Sequence, residues 1–170
     1  MRIDAFVYRI AMTTREFFIK QFAAERPKFV KVIRAIPEGQ LDYKPHERSS
    51  AAGGIAWFLV LELRALVDLV KNHENHWLQS PSPKTSAEIA SEYDKVASEL
   101  ETSLKSADEA AWARDAKMYV GDRLMKSAPL GETLWDFFLD AIHHRGQLTS
   151  YLRPMGGKVP SVYGPSGDAK

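Results

Sequence analysis

Asp140 and His144 stand four residues apart in the run Asp140, Ala141, Ile142, His143, His144, Arg145, Gly146, Gln147. One helical turn separates residues i and i+4, so both side chains share a face. From that spacing one helix can offer two ligands to a metal ion. The same spacing also occurs on helix faces that simply meet water. Winding the segment at about 100° per residue places Asp136, Asp140, His144, Gln147 and Tyr151 in one narrow stripe. Leu134, Phe138, Ala141, Ile142, Leu148 and Leu152 form a broad apolar face beside it, and Trp135, Phe137 and Leu139 carry apolar surface most of the way round. A helix of that kind is buried on most sides, and its polar stripe then lines something internal. His143 points about a quarter turn away from His144, so the two adjacent histidines do not make a ligand pair.

A second helical pattern sharpens the question. Ile55, Phe58, Leu59, Leu66, Leu69 and Val70 form its apolar face, with Glu62 in their midst. An unpaired carboxylate there costs on the order of several kcal/mol or holds a raised pKa, so Glu62 needs a partner. One candidate is a metal shared with Asp140 and His144. The other is an ion pair with Arg145, which interrupts the apolar face of the last helix. His73 and His76, near the end of the second pattern, read as solvated groups favoured by the helix dipole. His46 follows Pro45 in a polar connection and reads as exposed. Phe17, Phe18, Phe22 and Phe29 form an aromatic stripe that belongs to a core or a subunit interface. No serine sits in a nucleophile elbow, and no glycine loop could cradle phosphate.

The elements that must hold these residues are four long helices. Thr13 and Glu16 have capping-box spacing and open the first, which runs to about Ile36 before Pro37 and Gly39. Pro27 inside it predicts a kink or a division. The second spans about Ala51 to His76. A second capping box, Thr85 with Glu88, opens the third, which ends near Ser106. The fourth spans about Thr133 to Arg153, stopped by Pro154 and Gly156. Between the third and fourth, short apolar runs flank Gly121-Asp122 and suggest a small hairpin. The pattern reads as an all-α, up-and-down four-helix bundle, followed by a Gly-, Pro- and Ser-rich tail lying over its surface.

At 170 residues the chain is long enough for one domain with a substantial core. Its 23 basic and 22 acidic residues nearly balance, with no basic block among aromatics, so nucleic acid is not an expected partner. Cysteine is absent, which removes disulfides and thiolate chemistry and suits a cytoplasmic setting. No apolar run is long enough to span a membrane, and the charged start does not resemble a secretory leader.

The run from His144 through Arg145, Gly146, Gln147 and Leu148 to Tyr151 and Gly156, followed by Val159, Pro160, Ser161, Tyr163, Gly164, Pro165 and Ser166, resembles the end of DinB family proteins. Leu41 to Pro45 and Ser50 to Gly53 look like that family's entry into its second helix, and Met12 to Phe18 like a common start. The resemblance makes residues 12–166 the DinB-like domain, 1–11 an N-terminal extension and 167–170 a tail. It implies a four-helix bundle, often a homodimer, with a metal between helices. Members are described as metal-dependent enzymes, some acting with low-molecular-weight thiols, and many have no known activity. The usual ligands are three histidines, one in the second helix and two four apart in the last. Here those positions hold Phe58, Asp140 and His144.

Two readings follow. In the first, Glu62, Asp140 and His144 hold one divalent transition metal (Zn, Ni, Mn or Fe). Glu62 doubles as general base, while Phe58, Gln147 and Tyr151 line the substrate pocket of a hydrolase or thiol-linked transferase. In the second, the bundle holds no metal, Glu62, Arg145, Asp140 and His144 form a buried polar network, and the protein binds a small molecule or acts through a dimer.

Overall fold

The computed structural model describes residues 12–168; the expected extension at 1–11 and the last two tail residues lie outside them. Helix α1 spans Thr14–Arg34, and both hydrogen bonds of the Thr13–Glu16 capping box are present. Pro27 neither ends nor divides it. Proline removes one backbone hydrogen bond and crowds the preceding turn, yet Phe22, Glu25, Phe29 and Val32 are buried on both sides of it, and that packing holds the helix together.

Helix α2 spans Ala52–Asn72 and stops short of the expected end. His73 adopts a left-handed conformation (φ 57°) and donates its N–H to the Leu69 carbonyl. The next residues, Glu74–His76, form strand β1 instead of a last helical turn. Of the two histidines read as solvated helix-end groups, His73 ends the helix but is not solvated, and His76 is solvated but belongs to the sheet. His73 is buried, and its carbonyl accepts from the Lys117 N–H. The His76 ring stacks on Tyr119, centroids 4.8 Å apart.

Helix α3 (Ser86–Ser106) opens with the capping box of Thr85 and Glu88. A five-residue helix, α4 (Glu109–Ala113), follows, capped by Asp108. Strands β2 (Asp115–Val120) and β3 (Arg123–Pro129) form the expected hairpin, with Gly121 supplying the positive φ of its turn. Helix α5 covers Leu130–Leu152. The sheet order is β1-β2-β3, with β1 parallel and β3 antiparallel to β2.

The fold is thus a bundle of four long helices carrying a short helix and a three-stranded sheet, rather than an all-α protein. In the bundle α1 packs on α3 and α5, and α2 packs on the same two helices. Phe18, Phe22 and Phe29 fill the core with Tyr93 and Phe138, whereas Phe17 is half exposed and stacks on Trp135. No described helix is long and apolar enough to cross a membrane. The tail is fixed to the body: Arg153 and the Val159 N–H both bond the Asp168 carboxylate.

Candidate functional site

Glu62 faces α5 from the middle of α2 and is 2% exposed. Burial comes first in pushing its carboxyl up to about 9; a hydrogen bond to Asp140 and that residue's charge add to the shift. At neutral pH Glu62 is therefore a carboxylic acid beside a carboxylate. That state suits a hydrogen-bonding role. Its Oε2 is buried without any hydrogen-bond partner.

From Asp140 a line of polar contacts runs down α5 at the one-turn spacing seen in the sequence. His144 Nε2 lies 3.3 Å from Asp140 Oδ2, and His144 Nδ1 lies 3.2 Å from Gln147 Oε1. Gln147 Nε2 then donates to the Tyr151 hydroxyl at 3.3 Å. Both imidazole nitrogens are engaged, and Phe58 meets the ring edge to face with centroids 5.2 Å apart.

Arg145 does not reach Glu62. One residue beyond His144 is about 100° further round the helix, so Arg145 faces α1. There its Nη1 pairs with Glu25 Oε2 at 2.5 Å, and its Nη2 donates to the Tyr163 hydroxyl at 2.5 Å. The guanidinium also lies over the Phe29 ring, 4.5 Å from its centroid. Burial raises the Glu25 carboxyl, but hydrogen bonds from Lys28, Arg145 and Tyr163 together outweigh it and hold the group below its ordinary value. The sequence carried the signal for this pair. Glu25 interrupts the apolar stripe of Phe18, Phe22, Phe29 and Val32 just as Glu62 interrupts its own.

Glu62 and Asp140 open onto a cleft of about 360 Å³ between α2, α5 and β2. Phe58, Trp77, Met118, Val120 and Phe137 form its walls, and Asp136 stands at its edge on α5, paired with Lys126 of β3. His144 lines a neighbouring cavity, on the other side of Phe58. Gln147 and Tyr151 line neither; Tyr151 is buried against Tyr43. The sequence did not single out Trp77, Met118 or Val120 for this wall, because only the sheet brings them over α2.

The family model of the DinB family matches residues 12–169. The chain belongs to the DinB family. Among its relatives, the uncharacterized protein YrdA of Bacillus subtilis (strain 168) is 23% identical over 158 residues, covering 90% of each chain. The fold is shared with two DinB-like proteins of known structure. One, from Bacillus cereus ATCC 10987, gives a TM-score of 0.73 at 22% identity, covering 87% of this chain and 97% of that one. The other, YjoA from Bacillus subtilis, gives 0.68 at 18% identity, covering 91% and 99%.

The donor set of this DinB protein does not fit the metal that the family resemblance implies. A ligating imidazole needs one nitrogen lone pair free for the ion. Here Asp140 and Gln147 occupy both His144 nitrogens, and Phe58 packs against the ring. Among the described residues, no three His, Asp or Glu side chains are placed to hold one ion.

Proposed function

We propose that this protein binds a small, largely apolar molecule in the cleft between α2, α5 and β2, without a metal. The observation that carries the reading is the cleft itself, about 360 Å³ in volume and walled by aromatic and aliphatic side chains beside the buried Glu62 carboxyl and the half-exposed Asp140. That combination of apolar walls and a few convergent polar groups is what a small-molecule site requires. Asp140, His144, Gln147 and Tyr151 serve as the scaffold of this floor. Their polar contacts run in series, two hydrogen bonds from Tyr151 through Gln147 to His144 and then the contact of His144 with Asp140, so each orients the next.

A fragment screen by ligand-observed NMR on dialysed protein tests this, with Trp77→Ala as the site control. Binders lost on that substitution support the reading. A screen without binders, or binders indifferent to it, sinks it. The metal-dependent hydrolase or thiol-linked transferase suggested by the family would require His144 to exchange its bond to Asp140 for an ion. Close to one transition-metal ion per chain by ICP-MS after dialysis would favour that reading instead. Homodimerisation, the family expectation, is read directly by light scattering.

A further inference from the structure

We propose that the cleft takes an organic ammonium ion: a primary amine carried on an aromatic body. The inference rests on reading this cleft as a ligand site, and it names the chemistry of the ligand.

Three carboxyl groups line the cleft, Glu62 from α2 and Asp136 and Asp140 from α5, and among the described residues no Lys, Arg or His side chain lines it. Lys126 meets Asp136 from β3, and His144 meets Asp140 from one turn further along α5; neither side chain lines the cleft. An anionic ligand would meet like charge. A purely apolar one would leave Glu62 Oε2 as it stands, fully buried and without a donor. An ammonium brings three N–H donors, enough to serve Glu62 Oε2 and Asp140 together.

The walls suit the same charge. Phe58, Trp77 and Phe137 offer aromatic rings around the carboxyl side, and ring faces attract cations most strongly where water is thin. Phe58 and Trp77 already pack together, centroids 5.5 Å apart, so the wall is formed before a ligand arrives. Met118 and Val120 of β2 close the far side and would take the apolar body. A bare metal ion would use the carboxyls and leave these walls without a function.

Isothermal titration of the full chain at neutral pH with phenethylamine, phenethyl alcohol and hydrocinnamate separates the possibilities, because the three share a body and differ in charge. The amine is expected to bind roughly tenfold or more tightly than the alcohol, with no measurable heat from the carboxylate. Asp136→Asn, at an exposed position that leaves the fold intact, should weaken the amine severalfold; Glu62→Gln should weaken it more. Equal affinity for amine and alcohol would overturn the ammonium assignment and leave the cleft a ligand site. Preference for the carboxylate would overturn the assignment as well. Binding by none of the three, or amine binding unchanged by Asp136→Asn and by Trp77→Ala, would overturn both. Displacement of bound amine by zinc chloride at one ion per chain would return the site to a metal.

Discussion

Phe58 stands edge-on to His144, the two rings crossing at 77° with centroids 5.2 Å apart. One helix thereby fills, with carbon, the position from which the family resemblance implies a metal ligand. Replacing Phe58 and Asp140 by histidine together should let His144 turn its Nε2 to an ion and create transition-metal binding. ICP-MS on dialysed Phe58→His/Asp140→His protein checks this. A double variant as metal-poor as the parent would show that the site is closed by more than these two side chains.

Glu62 links stability to alkaline pH. Its folded-state carboxyl titrates at about 9, against an ordinary value of 4.5 when unfolded. Between those values the folded chain holds a proton that the unfolded chain lacks. Stability from this group is therefore complete below the ordinary value and falls with rising pH, by about 1.4 kcal/mol per unit. Glu62→Gln, nearly isosteric and never charged, should flatten that decline. Denaturant melts from pH 5 to 9 read it, and parallel pH curves for the two proteins would refute the assignment.

The Arg145–Glu25 pair should be costly to break and cheap to remove. Arg145→Met alone leaves the buried Glu25 carboxylate with only Lys28 and Tyr163, a loss of up to about 3–5 kcal/mol, whereas Arg145→Met with Glu25→Leu should recover most of it. Glu25 is held below its ordinary value, so its share of stability is present above that value and lost as pH falls. A double-mutant cycle, run at neutral and at acid pH, measures both effects. Additive losses would mean the pair is not coupled.

Gly131, in the first turn of α5, lies against the indole of Trp112 from α4, and a Cβ there would run into the ring. Gly131→Ala should destabilise by roughly 1–3 kcal/mol despite its better helix propensity. Thermal melts decide, and Trp112→Leu in the same chain should recover part of the loss by clearing the space.

Periodicity and caps made the long helices legible, because Thr13 with Glu16 and Thr85 with Glu88 are local devices that need no tertiary partner. The hairpin announced itself through Gly121 and its flanking apolar runs. Strand β1 did not. Glu74, Asn75 and His76 are polar, and they become a strand only because β2, some forty residues later, pairs with them. At the site, the periodicity put Glu62 on one helix and Asp140 with His144 on another, α2 and α5 of the fold, which pack together. Arg145, one of the two partners offered for Glu62, turns to α1 instead, because that choice hangs on a single residue's rotation about α5. The aromatic wall was hidden for the same reason as β1: Trp77 and Met118 reach the cleft through the sheet.

The Tyr163 hydroxyl bonds both Arg145 and Glu25, so the deepest ion pair between α1 and α5 is completed from the tail. Tyr163 follows Glu25 by 138 residues and leaves the ribosome well after it. A nascent polypeptide can assemble its helices before then, but it cannot finish satisfying the charges between them. The seam between α1 and α5 therefore closes only once Tyr163 has been made, and a chain cut short of Tyr163 would leave it unfinished.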